Sequence, residues 1–186
     1  MPARKMKIPA AAARRARRIR VLLMDVDGTM TSGAVCLQSF PDGSVAELKI
    51  FNSQDGAGIK LAGRMGIRTG MITGRDSPAT LRRGRESSME FVVQGVPQKL
   101  DAYKAVLTRA GVTDEEVAYV GDDLPDLPLL SRAGLAVAVA NAVPEVKRVA
   151  HYVTSARGGE GAVREVVELI LKAQGKWEKA IPLAMA

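Results

Sequence analysis

Asp25 and Asp27 stand two residues apart, directly after the apolar run Val21–Met24 and before Gly28 and Thr29. At the end of a buried strand both carboxylates can project from the strand-to-loop transition, and Gly28 lets the backbone turn sharply and approach a ligand. This pairing suits an aspartate nucleophile, a neighbouring acid/base and a divalent cation. Three further polar groups follow predicted strands: Thr73-Gly74-Arg75, Lys99, and Gly121-Asp122-Asp123-Leu124-Pro125-Asp126. Together they meet the needs of phosphoryl transfer, which requires in-line attack and neutralisation of the phosphoryl oxygens. Asp25 can attack phosphorus to form an aspartyl phosphate; Asp27 can protonate the leaving oxygen and then activate water. Mg²⁺ prefers oxygen ligands and keeps several waters, so one or two carboxylates such as Asp25 and Asp122 suffice. The Thr73 hydroxyl and nearby N–H groups can hold phosphate oxygens, while Lys99 offsets the negative charge.

For these groups to meet, their strands must lie side by side. From residue 21 the chain alternates short apolar runs with helical segments, the pattern of a doubly wound, Rossmann-like α/β domain with a parallel sheet. Ligands bind at the carboxyl ends of strands in such sheets. Val21–Met24, Ile67–Ile72, Phe91–Gln94, Val117–Val120 and Leu135–Val139 read as strands, and 55–66, 77–86, 97–110 and 162–174 as helices. Residues 34–51 read as a β-hairpin around Pro41-Asp42-Gly43, which makes Asp42 a turn residue. The expected organisation is a basic flexible arm (1–19), one catalytic domain (20–174) and a tail (175–186). Trp177, Ile181 and Leu183 in that tail have no obvious core to enter.

Composition narrows the function classes. A chain of 186 residues, 47% hydrophobic, suits one domain with a real core. No apolar stretch approaches the roughly 18 residues that cross a bilayer, so no membrane partner is expected. The single cysteine, Cys36, excludes an intramolecular disulfide and a cysteine-based zinc cluster, and fits a reducing, cytoplasmic setting. Of the 27 basic residues, eight fall in residues 1–20 with no acidic one, which leaves 19 against 20 acidic residues elsewhere. That arm lacks the interleaved aromatics of a nucleic-acid binder and the apolar core of a signal peptide, so it reads as solvated. A non-catalytic nucleic-acid-binding or scaffold protein using the arm is the rival of another class. The intact set Asp25, Asp27, Thr73, Lys99 and Asp122 opposes it.

Taken in order, DVDGT at 25–29, Thr73, Lys99 and GDDLPD at 121–126 resemble the four signatures of the haloacid dehalogenase-like phosphohydrolase superfamily. The resemblance implies Asp25 as nucleophile, Asp27 as acid/base, Asp122 as the carboxylate on Mg²⁺ with the Asp27 carbonyl beside it, and Asp126 orienting metal-bound water or Lys99. Most relatives insert a cap domain. Here 43 residues separate Thr29 from Thr73 and 25 separate Thr73 from Lys99, which the hairpin, two helices and a strand consume. No cap domain fits.

Among capless branches the chain resembles the 3-deoxy-D-manno-octulosonate 8-phosphate phosphatase family from about residue 20 to about 175. The segments that carry this are Phe51-Asn52, Asp55–Ile59, Ile72–Arg75, Tyr119–Asp123 and Gly158–Glu165. The resemblance implies hydrolysis of an eight-carbon sugar-acid phosphate for lipopolysaccharide synthesis by a homotetramer. In that assembly hairpins associate and C-terminal tails reach a neighbour's site. It implies a substrate pocket of Asp27, Asn52, Ser53, Gln54, Asp55, Gly56, Lys60, Gly74, Arg75, Arg83 and Lys99. Gln54 stands where a basic residue is usual, Lys60 where Arg is common and Ser32 where an acidic residue is frequent; a nine-carbon, sialic-acid-like phosphate is the alternative substrate. His151 and the arginines at 82 and 85 read as structural or solvated, and the 158–161 glycines as a tight backbone path near the site.

Overall fold

The computed structural model describes residues 8–185. In chain order its elements are α1 (Ala10–Ala16), β1 (Val21–Met24), β2 (Cys36–Ser39), β3 (Val45–Leu48), α2 (Ser53–Arg64), β4 (Arg68–Ile72), α3 (Pro78–Glu86), β5 (Phe91–Val93), α4 (Lys99–Ala110), β6 (Val117–Gly121), α5 (Leu127–Leu130), β7 (Leu135–Ala138), α6 (Pro144–Val149), β8 (Tyr152–Val153), α7 (Ala162–Ala173) and α8 (Trp177–Met185).

Four consecutive apolar residues cannot alternate between core and solvent, so β1 must be covered on both faces. Its four side chains are fully buried, within a six-stranded sheet of order β5-β4-β1-β6-β7-β8 whose neighbours all pair parallel. Helices α1, α2, α7 and α8 pack together as one layer, and α4, α5 and α6 as another. The sheet is doubly wound, as the alternation of runs predicts. Met24 pairs with Met71 in β4 and with Val120 in β6, so three strands end at one level. That register decides where the site can form. The β2–β3 hairpin stands apart as an antiparallel pair. Between Thr29 and Thr73 lie only the hairpin, α2 and β4, and between Thr73 and Lys99 only α3 and β5, which leaves no cap domain.

Both chain ends differ from expectation. Residues 1–7 of the arm lie outside the described residues, but residues 10–19 are packed rather than flexible. Ala12, Ala16 and Ile19 form one apolar edge at 0–1% exposure, while the arginines between them stay exposed. Alanine lets α1 approach α7 closely, and Gln174 Nε2 donates to the carbonyls of Ala16 (3.2 Å) and Ile19 (2.7 Å), at and just past the end of α1. The tail likewise folds into α8 against α2 and α7. Ala180 is fully buried, and the Trp177 ring lies 5.4 Å from the Arg164 guanidinium and 5.0 Å from the Lys172 ammonium. Ile181 and Leu183 remain 40% exposed.

If the arm is part of the core, Ile19→Ala lowers unfolding stability by about 2–4 kcal/mol in a urea titration; a solvated arm gives no change.

Candidate active site

Because β1, β4 and β6 end together, the residues that follow them meet. Asp25 continues the ladder, donating its N–H to Val120 O at 2.9 Å. The 3₁₀ turn at Leu124–Asp126 then folds Asp126 back beside it. Lys99, the first residue of α4, reaches in from beyond β5. Its ammonium donates to Asp25 Oδ1 (2.6 Å) and Asp126 Oδ1 (2.8 Å), and all three residues are at least 93% buried. Asp126 is fully engaged: Tyr119 donates to Oδ1 at 2.9 Å, and the N–H groups of Asp122 and Asp123 donate to Oδ2 at 3.0 and 3.4 Å. Asp122 Oδ1 accepts from Thr29 at 2.9 Å. One oxygen each of Asp25 and Asp122 accepts no hydrogen bond among the described residues, and carboxylate oxygens of Asp25, Asp122 and Asp126 lie within 4.8 Å of one another.

Three carboxylates around one ammonium leave two negative charges in a dry site. Burial pushes Asp25 up to about 7, with the Asp126 charge adding to it and Lys99 opposing. Asp122 is pushed up to about 6, again chiefly by burial, against the Thr29 hydroxyl bond. Burial works against the Lys99 charge, but Asp25 and Asp126 outweigh it and raise its pKa. Gly28 closes this arrangement: its φ of 98° is a left-handed backbone, and a Cβ there would sit 2.0 Å from Asp122 Oδ2.

Asp27 occupies a different electrostatic setting. Lys49, just past β3, forms an ion pair with Asp27 Oδ1 and lies 3.8 Å from Glu47 Oε1, with only 3% of its side chain exposed. Arg75 bonds Glu47 at 2.5 Å and holds its Nε 3.7 Å from Asp27 Oδ2. Two cations thus meet two carboxylates. Asp27 Oδ2 is buried and accepts no hydrogen bond among the described residues.

Thr73 is 2% exposed, with its hydroxyl accepting from Arg75 N at 3.3 Å, and Gly74 lies exposed between them. These residues, with Asp25, Asp27, Lys99 and Asp122, share one strand-end cluster. The expected pocket residues on α2 are placed differently. Asn52 caps α2, accepting from the N–H groups of Gln54 (2.8 Å) and Asp55 (3.3 Å). Asp55 is buried and accepts from Arg164 N at 2.8 Å, so its carboxylate caps α7. Arg83 donates to Asn52 O at 2.7 Å, lies 5.5 Å from the Phe51 ring, and covers Gly56, where a Cβ would meet its Nη2 at 2.2 Å. Ser53 and Gln54 are exposed at the start of α2. Lys60 faces outward with Gly63, Arg64 and Ser88, away from the carboxylates.

Lys49, Glu47 and Asn141 join the site without a mark in the sequence. Lys49 and Glu47 alternate with Leu48 and Ile50, which in a hairpin reads as a wet face; here that face meets Asp27. Asn141 donates to Gly28 O (2.9 Å) and accepts from Gly158 N (2.6 Å). It joins the loop after β1 to the glycine loop, where a Cβ on Gly158 would lie 1.8 Å from Gly28 O. No short-range signal marks Asn141, because its partners are more than a dozen residues away.

Residues 70–166 match the family model described as haloacid dehalogenase-like hydrolase. The chain is 43% identical over 171 residues to the 3-deoxy-D-manno-octulosonate 8-phosphate phosphatase of Yersinia pestis, covering 92% of this chain and 89% of that protein. This chain belongs to the 3-deoxy-D-manno-octulosonate 8-phosphate phosphatase family. The enzyme of Escherichia coli K12 is 40% identical over 173 residues, with 93% and 90% coverage. A solved family structure from Moraxella catarrhalis, in complex with a magnesium ion, a phosphate ion and KDO, is 37% identical and superimposes with a TM-score of 0.87, covering 92% of this chain and 97% of that one.

The residues of this family member fit a divalent cation. Asp25 and Asp122 each keep an acceptor oxygen free, in a cluster two positive charges short of neutrality, and all the donors are hard oxygens. Both carboxyls have pKa values raised by burial, so in chelator-treated protein they disfavour the native state when ionised, and this penalty fades as pH falls from about 7 towards 4. Protons and Mg²⁺ therefore compete. Mg²⁺ should raise the melting temperature more at about pH 8 than at about pH 5.5; an equal or larger shift at the lower pH contradicts this fit.

Proposed function

We propose that this protein hydrolyses 3-deoxy-D-manno-octulosonate 8-phosphate to the free sugar acid and phosphate, with Mg²⁺ as cofactor. The observation that carries this reading is the division of charge within one strand-end cluster. Asp25 belongs to the doubly negative group, which suits a cation and the phosphoryl oxygens beside it. Asp27 belongs to the balanced group, with one oxygen unengaged. Family membership supplies the substrate class.

Asp25, held through Oδ1 by Lys99, attacks phosphorus with its other oxygen as the bond to the sugar oxygen breaks. Asp27 in its acid form gives its proton to that leaving oxygen. In the second half Asp27 takes a proton from water, the water oxygen bonds to phosphorus, and the Asp25–phosphorus ester bond breaks. The Asp25 and Asp122 carboxylates and the Asp27 carbonyl would hold Mg²⁺, which when bound would supply positive charge for the phosphoryl oxygens. Thr73 and the N–H groups of the 73–75 loop receive those oxygens. Lys99 keeps Asp25 in place and offsets its charge. Arg75, which ties the 73–75 loop to the hairpin through Glu47, is suited to the sugar carboxylate. Gln54, exposed beside the glycine loop with Gly161, stands where recognition of an eight-carbon or a nine-carbon acid would differ.

A homotetrameric assembly through the hairpins belongs to the same proposal. The hairpin exposes Val35 (55%), Leu37 (60%), Leu48 (51%) and Ile50 (83%), an apolar surface that a second copy would cover. A cytoplasmic setting is proposed from the exposed lone thiol of Cys36.

Turnover of phosphorylated sugar acids and simple hexose phosphates with Mg²⁺ tests the reaction. The eight-carbon substrate should exceed the hexose phosphates by about tenfold or more in kcat/KM, and Asp25→Asn should abolish all turnover. Preference for the nine-carbon acid would overturn the substrate assignment, and an active Asp25→Asn the mechanism. Sedimentation tests the assembly: Ile50→Asp should shift the protein towards smaller species, and an unchanged coefficient would remove the hairpin from the interface.

A further inference from the structure

A lysine on a two-stranded hairpin ordinarily points into water, and burying its ammonium is unfavourable without carboxylate partners. Lys49 is buried all the same, and among the described residues its ion-pair partners are Asp27 and Glu47. It takes Oδ1 of Asp27, and Arg75, itself held by Glu47, stays at 3.7 Å from Oδ2. Oδ2 alone is left without a hydrogen bond.

An ammonium has three donors and no acceptor. The carboxylate oxygen it holds is the less favourable place for the carboxylic proton, because a protonated oxygen is a weaker acceptor towards the ammonium. We propose that Lys49 is a positioning residue: it reserves Oδ1 of Asp27, so that Oδ2 is the one oxygen that exchanges the proton. It also ties the hairpin to the catalytic loop through the chain Asp27, Lys49, Glu47 and Arg75.

The inference rests on the phosphatase reading above, and its chemistry balances within it. As Asp25 bonds to phosphorus and the phosphorus–sugar oxygen bond breaks, the proton on Oδ2 passes to the sugar oxygen, leaving neutral alcohol, aspartyl phosphate and an ionised Asp27. Water then loses its proton to the same Oδ2 as its oxygen displaces Asp25. With the carboxyl plane pinned by Lys49, the proton sits towards the leaving group in both half-reactions. Without the pin the carboxyl can rotate and present either oxygen, and the correctly aimed acid becomes a minority form.

Leaving groups separate this role from a merely structural one. A sugar alkoxide leaves only if protonated, whereas p-nitrophenolate leaves without a proton, and kcat/KM reports only the steps through release of that first product. Lys49→Met should therefore lose about 100-fold in kcat/KM on the sugar-acid phosphate and about fivefold or less on p-nitrophenyl phosphate. Lys49→Arg, which keeps a cation on Oδ1, should recover about tenfold of the loss. Lys49→Gln, which keeps an uncharged donor, carries the same comparison should the methionine variant fail to fold. The melting shift produced by Mg²⁺ in these variants reports an intact carboxylate cluster. Equal losses on the two phosphates, or no loss on the sugar-acid phosphate, would overturn the inference. Wild-type turnover of the sugar-acid phosphate tests the function itself, while only the ratio of variant to wild type tests Lys49.

Discussion

The buried ammonium of Lys99 between Asp25 and Asp126 is the interaction on which the rest of the site depends. Three parallel strands deliver acidic loops to one level, and burial alone would drive those carboxylates to protonate or to separate. Lys99 permits two of them to stay ionised at close range, and Tyr119 and two backbone N–H groups complete the coordination of Asp126. The remaining negative charge is left on Asp25 and Asp122, where a divalent cation and a phosphoryl group require it. The structure thus builds a deficit of positive charge and centres it on Asp25 and Asp122.

The neighbouring Asp27 is kept out of that deficit. Lys49 and Arg75 approach it from the hairpin and the phosphate loop, and Glu47 balances them. Two carboxylates only two residues apart therefore answer to different surroundings, which suits the proposed division of one peptide segment into a nucleophile and a proton carrier. The separation is geometric before it is electrostatic: Gly28 turns the chain in a left-handed conformation, and the backbone contact of Gly158 on Gly28, joined by Asn141, fixes the turn.

Support for the site extends into the helices. Asn52 begins α2, Asp55 caps α7, and Arg83 closes over Gly56 onto Asn52, so a segment that sequence likeness assigns to substrate is also the joint between α2, α3 and α7. The packed α1 and α8 extend the same layer, with α1 fastened by Gln174.

The sequence by itself determined the parallel α/β order, the absence of a cap domain and the strand-end carboxylates, because apolar runs and the acidic motifs are local patterns. It also carried the hairpin, through its turn residues and alternation. Only the tertiary structure decided which oxygen of each carboxylate is engaged, that Asp126 serves Lys99, and that Lys49 is buried rather than wet. Alternation in a hairpin distinguishes two faces but does not say which one meets the protein. The packing of α1 and α8 was equally illegible, since Ala12, Ala16, Trp177 and Ala180 gain a core only where α2 and α7 provide one. Strand register brought Asp25, Asp122 and Asp126 within reach of one ion, and distance in space, unlike residue type, is fixed only when the chain closes on itself.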